Sequence, residues 1–529
     1  MSGRQPRNVV LTGFMGCGKS SVGRLVGDAL QRPFVDMDLE LAERFGMSIP
    51  EVFSVRGEAA FREAESDLVR ELSQQRGLVV STGGGALVDA DNRRVLEATS
   101  RLIRLVAAPD TLWQRVSRGS GRPMLDSEDR RVRFDALLAE REPHYRRIPH
   151  QVDSTNLSVS ESAAAVVRLV RELEAVDERC LTVEHPSGHY PVFVTRGGLR
   201  SLAAYLRSRS ISGPVAAIGD SHTGPLLGES VVSGLRDAGL SASLLAFPAG
   251  EEHKTLASVE SLVTGMVRAG LGRDCTVVAL GGGVVGDTAG LVASLYMRGV
   301  PLVQIPTTLL AAFDSSVGAK VAVDLPAGKN LVGAFKQPEL VLIDADVMDT
   351  LPEEERRSGL AEAVKHGVIA DPVLFAMLEQ GTFDLVEVIE RSVRVKAAVV
   401  EEDPHERGRR AVLNLGHTFG HAYETLSGYA LRHGEGVAIG MMLAARLACR
   451  RGLCSGALVT RLQSCLSAIG LPTVPAPHPA EAVVAAMRAD KKRMAGRLRL
   501  VLPLELGDVR VFDDVGEDEL VALLATAQG

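Results

Sequence analysis

The chain has 529 residues, more than one hydrophobic core normally organises, so two or three domains are expected. Hydrophobic residues make up 46% and aromatics only 4%, which points to cores of Ala, Val and Leu. A formal net charge of −7 excludes a general nucleic-acid-binding coat. No apolar run approaches the roughly 20 residues of a membrane helix. The cysteines at 17, 180, 275, 449, 454 and 465 form no CxxC pair and no disulfide framework. The opening "MSGRQPRNVVLTG" runs straight into a strand and does not read as a signal peptide, so a reducing, cytoplasmic setting is expected.

The first predicted strand leads into "LTGFMGCGKSS" and then a helix. Gly13, Gly16 and Gly18 let the backbone curl so that its N–H groups face an anion. Cys17 lies within the curl, Lys19 reaches the outer phosphates, and Ser20 can hold Mg²⁺, with Ser21 following on the helix. This is a nucleoside-triphosphate loop, but it does not specify the acceptor. "FVDMD" then brings Asp36 and Asp38 to a strand end beside it. "GEAAFREAE" places Arg62 on a helix, and "VVSTGGGAL" sets Gly84 and Gly85 in a turn where backbone can approach a ligand closely. "SRGSGRPML" is an Arg-bearing loop suited to closing over phosphates, and "EREPHYR" carries Arg141.

In order and spacing these motifs, over about residues 7–170, resemble shikimate kinase. The resemblance implies that Asp38 holds the acceptor hydroxyl and takes its proton, and that Asp36 supports Mg²⁺ through water. It implies that Arg62 and Arg141 clamp the substrate carboxylate, that Gly84 and Gly85 face its hydroxyls, and that Arg122 stabilises the transferring phosphoryl group. Two arginines suit a bidentate carboxylate grip. One departure is Ile148–Pro149 in "YRRIPHQ", where relatives carry a small residue; its expected effect is on packing.

An amphipathic helix over 166–180 fades into a charged connector, which sets a boundary near residue 178. Strand-like runs dominate to about 345, as in "PVAAIGD", "TVVALGGG" and "PLVQIPTT". From 353 the pattern is helical. The predicted architecture is therefore α/β throughout its first two parts. A P-loop kinase domain with a parallel sheet spans 1–178, an α/β nucleotide-binding domain spans 179–345, and an all-helical metal-binding domain spans 346–529.

"LGGGVVGD" offers Gly281-x-Gly283-x-x-Gly286 after a strand, without a clear acidic residue at the distance the usual dinucleotide fingerprint requires. "LNLGHTFGHAYE" puts His417 and His421 four apart on a helix, the spacing of a metal-ligand pair. Spacing alone makes both of them ligands, with Glu362 or His433 as the third.

The set "GGGVVGD", "IPTTLLA", "DSSVG", "GKNLVGAF", "AEAVKHG", "LNLGHTFGHA" and "HGEGVAIGM" resembles 3-dehydroquinate synthase over about 181–505. The resemblance implies a divalent metal, Zn²⁺ or Co²⁺, on Glu362, His417 and His433, with His421 handling protons and phosphate instead. It implies NAD⁺ on Asp220, Glu251, Lys254, Gly282, Gly283, Asp287, Thr307, Thr308 and Lys329. It implies a heptulosonate phosphate held by Asp314, Lys320, Asn330, Lys365, Lys396, Arg410, Asn414, His421 and one of Lys491 or Lys492. Lys365 and Asp314 join the catalytic set, and Arg298, also a heptulosonate phosphate contact, reaches across a homodimer interface. Departures are Ala319, where Gly is usual, and "TRGGL" near 195. The implied whole is a bifunctional enzyme of aromatic-precursor synthesis, acting on small molecules, with neither nucleic acid nor membrane as partner. A metal-dependent polyol dehydrogenase, a cyclase of another sugar phosphate, and a nucleotide-sensing scaffold are the competing readings.

Overall fold

This computed structural model describes residues 6–117, 129–404, 406, 408–492 and 498–527. The chain forms two compact units. One comprises residues up to Thr182 together with Gly198–Ser212, and the other Val183–Gly197 together with Gly213 onward.

The first unit is built on five parallel strands, β1 (Asn8–Thr12), β2 (Phe34–Asp36), β3 (Val79–Ser81), β4 (Ser100–Val106) and β5 (His150–Asp153), in the order β2-β3-β1-β4-β5. Strand β1, "NVVLT", is buried at every position, as a central strand covered on both faces must be. Its one amide side chain is not orphaned: Asn8 donates to the carbonyls of Leu72 and Gln75 and accepts from Leu78 N. The core on one side of the sheet contains Met37, Leu41, Phe61, Leu68, Val80, Leu96 and Ile148. Ile148, the departure noted above, is fully buried there.

Residues 198–212 return to this unit after the chain has left it. Tyr205 OH donates to Glu178 Oε2 (2.6 Å), and His150 Nε2 lies 2.9 Å from Glu178 Oε1. Gln151 N donates to Ser208 O (3.0 Å), which ties the returning segment to β5. Glu178 is thereby buried with its charge satisfied, and its carboxyl is held at about 2. Burial alone would raise it, but His150, Arg101 and the Tyr205 bond outweigh that effect.

In the second unit six parallel strands, β6 (Gly188–Arg196), β7 (Val215–Asp220), β8 (Ala242–Phe247), β9 (Thr276–Gly281), β10 (Leu302–Pro306) and β11 (Leu340–Asp344), run in the order β6-β11-β10-β9-β7-β8. An antiparallel hairpin, Lys320–Leu325 with Gly328–Phe335, lies between β10 and β11 in sequence and shares a core with the helix Gly283–Leu295 through Val321, Val323, Ala289 and Val292. The rest is rich in helices, notably Glu353–Ile369, Leu385–Glu402, His417–Leu426 and His433–Arg450. The expectation of helices alone is corrected by a second hairpin, Leu500–Glu505 with Asp508–Phe512. Its first strand, "LVLPLE", is apolar and buried over its first four residues, and it pairs locally with the segment just after it inside a helical region. No described helix is long and apolar enough to cross a membrane, and all six cysteines are free.

Candidate active sites

In the first unit the phosphate loop follows β1. Gly13, Gly16 and Gly18 all have positive φ, and a Cβ at Gly13 would stand 2.5 Å from Leu105 O, so glycine is required there. Lys19 Nζ folds over the loop and donates to Gly13 O (2.8 Å) and Phe14 O (3.4 Å). The loop opens onto a cavity of about 530 Å³ lined by Gly16, Gly18, Lys19, Ser20, Ser21, Asp38, Arg62, Gly84, Gly85 and Arg141, among others. Gly13 contributes its carbonyl to Lys19, and Cys17 is buried behind the loop. The Asp36 side chain caps the next helix, with Oδ1 accepting from Asp38 N and Leu39 N. Arg122 lies outside the described residues.

Burial pushes the Asp38 carboxyl above its ordinary range; Asp36 adds to this, while Lys19 and Arg62 oppose it. Glu65 was missed in the sequence. It is buried in the cavity wall and pairs with Arg62 Nη1 at 2.6 Å, while Glu58 holds Nη2 at 3.2 Å. The signal was present, since "REAE" puts Glu65 three residues after Arg62 on one helical face. Tyr145, also missed, donates to Gly84 O alongside Arg141 Nη1 (3.1 Å).

In the second unit the residues expected to hold a coenzyme gather at the carboxyl ends of three adjacent strands. Asp220 ends β7, Gly282 caps the helix after β9, and Thr307 follows β10, where its N–H donates to Gly281 O (3.0 Å). Asp220 Oδ1 accepts from His222 N and Thr223 N. Thr308 Oγ1 accepts from Ala311 N and lines the approach to Gly282, where an added Cβ would lie 3.3 Å from Thr308 Cγ2. Lys254 Nζ joins Asp287 Oδ2 (2.6 Å) and donates to Asn330 Oδ1 (2.7 Å), and Lys329 lies 3.5 Å from Glu251. Asn330, expected among the substrate contacts, is thus coupled to this group. Asp287 is pushed up to about 6 by burial, against the pull of Lys254.

Three helices converge on the metal-type cluster. Glu362 lies mid-helix in Glu353–Ile369 and is fully buried; His417 and His433 are each the first residue of their helices. Both histidines place Nε2 3.8 Å from Glu362 Oε1, and the three ligand atoms lie within 4.8 Å of one another. Beyond an ion pair with Lys365, neither Glu362 oxygen has a hydrogen-bond donor among the described residues. A buried carboxylate so placed, facing two imidazole nitrogens, fits a divalent cation. Burial, then the charge of Lys365, holds His417 well below its ordinary pKa, which keeps it neutral as a ligand must be. The His421 ring sits 5.4 Å from that of His417 and 5.9 Å from that of His433. It also forms a second possible ligand group with Glu424 and His433.

Cations surround this cluster. Lys365 and Lys396 are buried, and Lys396 pairs with Asp314 Oδ1 and also donates to its backbone carbonyl. Burial lowers the pKa of Lys396 despite that partner. The protein around Asp314 disfavours its charge, but Lys396 and Lys365 hold its carboxyl well below the usual range. Buried Arg410 donates to Pro404 O and Gly318 O, while Lys320 pairs with Glu406. Asn414 and Arg298 are exposed, and the side chains of Lys491 and Lys492 lie outside the described set.

Residues 244–358 match the family model of the 3-dehydroquinate synthase N-terminal domain, and 359–493 that of the C-terminal domain. A 3-dehydroquinate synthase of Desulforamulus reducens is 45% identical over 346 residues, which cover 64% of this chain and 96% of that one. The chain belongs to the 3-dehydroquinate synthase family. A synthase of Caulobacter vibrioides is 46% identical over 325 residues, covering 59% and 88%. Ahead of the synthase part, residues 15–171 match the shikimate kinase model, so the chain is a fusion of the two. Among solved structures, a 2-deoxy-scyllo-inosose synthase complexed with carbaglucose-6-phosphate, NAD⁺ and Co²⁺ is 26% identical at a TM-score of 0.60, covering 66% of this chain and 99% of that one. A 2-epi-5-epi-valiolone synthase from Streptomyces hygroscopicus subsp. jinggangensis, with NAD⁺ and Zn²⁺ bound, is 32% identical at 0.58, covering 64% and 96%. In the synthase part the residues that spacing left open are thus laid out: Glu362 faces His417 and His433, and His421 stands beside them.

Proposed function

We propose that the chain catalyses two separate reactions of aromatic-precursor synthesis. The first unit (kinase domain 1–178) phosphorylates shikimate at its 3-hydroxyl with ATP. The second converts 3-deoxy-D-arabino-heptulosonate 7-phosphate to 3-dehydroquinate with loss of phosphate. It does so on a coenzyme-binding α/β domain (179–345) and a helix-rich metal and substrate domain (346–529). The observation that carries the synthase reading is the buried Glu362 carboxylate, its Oε2 paired with Lys365 and its Oε1, without a hydrogen-bond donor among the described residues, facing two imidazole Nε2 atoms.

In the kinase, the loop N–H groups and Lys19 hold the triphosphate, and Ser20, with Asp36 through water, would hold Mg²⁺. Asp38 accepts the proton of the attacking hydroxyl, a role helped by its raised pKa. Arg62, set by Glu58 and Glu65, and Arg141 grip the carboxylate, and Arg122 covers the transferring phosphoryl group.

In the synthase, Glu362, His417 and His433 would hold Zn²⁺ or Co²⁺, and the strand-end set from Asp220 to Lys329 would hold NAD⁺. When bound, these supply Lewis acidity at substrate hydroxyls and a reversible hydride acceptor. Lys320, Lys365, Lys396 and Arg410, with Lys491 or Lys492, neutralise phosphate and carboxylate; Asp314, Asn330 and Asn414 orient hydroxyls. His421 moves a proton through a ring nitrogen at the departing phosphate. A homodimer through this unit is part of the reading. Exposed Leu295 and Met297 lie just before Arg298 in the chain, and Leu331 and Phe335 are 55% and 61% exposed on the hairpin. The free cysteines suit a reducing, cytoplasmic setting.

The test is to assay both reactions after Lys19→Ala and His417→Ala. Each change should abolish only its own reaction. Loss of both from either change refutes independent sites. Phosphate release without net NAD⁺ reduction separates this reading from a polyol dehydrogenase.

A further inference from the structure

The two imidazoles that face Glu362 are held from behind in different ways. His417 Nδ1 lies 3.3 Å from the backbone carbonyl of Leu415, and its Nε2 points to Glu362. His433 Nδ1 lies 3.0 Å from Glu424 Oε1, and its Nε2 also points to Glu362. Each outer acceptor places the proton on Nδ1 and leaves Nε2 as the lone-pair nitrogen. One acceptor is neutral backbone; the other is an anionic side chain that mutation can reach.

Glu424 is built into this position. It sits on the helix begun by His417, yet serves the histidine that begins the next helix. Its side chain is 13% exposed. Gly436, one turn into the His433 helix, leaves space for it: a Cβ there would stand 2.9 Å from Glu424 Oε1. The same carboxylate could instead ligate a cation with His421 and His433, whose ligand atoms also lie within 4.8 Å. The choice between the two roles turns on Glu362. Lys365 takes Oε2, while Oε1, without a hydrogen-bond donor among the described residues, draws the cation to the Nε2 side of His433, which leaves Glu424 on the Nδ1 side.

We propose that Glu424 is a positioning residue of the metal centre: it fixes the tautomer and orientation of His433 so that Nε2 faces the cation, and it does not itself ligate. This rests on Glu362, His417 and His433 being the ligands. A carboxylate behind a ligating imidazole also makes that nitrogen a stronger donor, and removing such partners costs 10–100-fold in metal affinity, to order of magnitude.

The test uses the full chain, stripped of metal, with Zn²⁺ and Co²⁺ affinities read by competition with a chromophoric chelator. Glu362→Gln and His433→Ala should abolish tight binding. Glu424→Ala should weaken it by roughly 10–100-fold, and Glu424→Gln, which keeps an acceptor oxygen without the charge, by less. The visible spectrum of Co²⁺ at saturation should keep its wild-type form in both Glu424 variants, because the ligands are unchanged. Shikimate phosphorylation and the melting of the metal-free chain should match wild type. Wild-type affinity in both Glu424 variants while His433→Ala loses the metal overturns the proposal. A saturated Co²⁺ spectrum altered by Glu424→Gln makes Glu424 a ligand and overturns it equally. Tight binding retained in Glu362→Gln and His433→Ala refutes the site reading beneath it.

Discussion

Glu178 is a strong stability lever in the first unit. Its side chain is 6% exposed, and its carboxyl is held at about 2 against an ordinary 4.5. Holding the carboxyl at about 2 in place of 4.5 corresponds to about 3 kcal/mol of stability carried by the ionised form. Because the folded pKa is depressed, this stability is complete above about pH 4.5 and is lost as pH falls from there through about 2. Glu178→Gln should remove most of it at neutral pH. Tyr205→Phe, which deletes the 2.6 Å hydroxyl bond to a buried carboxylate, should cost about 1.5–3 kcal/mol. The chain has one tryptophan, and Trp113 lies in this unit, packed on Phe134 at 5.3 Å. Its fluorescence during urea unfolding therefore reports the kinase unit alone. Both substitutions should lower the Trp113 midpoint at pH 7. The gap between wild type and Glu178→Gln should close as the measurement moves below pH 4. Unchanged midpoints, or a gap that persists into acid, would refute the assignment of that charge as stabilising.

Two further outcomes are expected. Arg62→Lys loses the planar fork held between Glu58 and Glu65, so KM for shikimate should rise about 10–100-fold with KM for ATP unchanged; an equal rise for both substrates would argue against a carboxylate clamp. Ala319 sits at φ 62, where a Cβ costs about 1–2 kcal/mol and glycine's extra chain freedom offsets about 0.5–1, so Ala319→Gly should stabilise the synthase unit slightly, read as a higher temperature of activity loss.

The elements around both sites were legible because each carries a short-range physical signature. The phosphate loop needs glycines at positive φ between strand and helix, and no other common pattern puts Gly13, Gly16, Gly18 and Lys19 together. The parallel strands read as unbroken apolar runs because both faces are covered. What escaped notice depends on long-range contact. Nothing in residues 198–212 says that Tyr205 will close over Glu178, since the match is between a hydroxyl and a carboxylate 27 residues apart. The Leu500–Glu505 hairpin was lost for a different reason: its pairing is local, but its partner strand is short and half-polar and does not stand out from the helical context.

The histidine pair shows where spacing stops being informative. A separation of four puts His417 and His421 on one helical face, and their rings are indeed 5.4 Å apart. Proximity does not make two imidazoles ligands of one cation; the direction of their lone pairs does. His417 starts its helix, so its ring folds back on the carbonyl of Leu415 and turns Nε2 toward Glu362. His433 starts another helix and receives the equivalent support from Glu424. The information behind the proposed ligand set therefore lies outside the ligands, in a carbonyl two residues before one histidine and a carboxylate nine residues before the other. Neither acceptor belongs to a familiar ligand spacing, so ligand intervals alone favour His421 over His433, whereas asking what holds each Nδ1 proton points to His433, whose Nε2 faces Glu362.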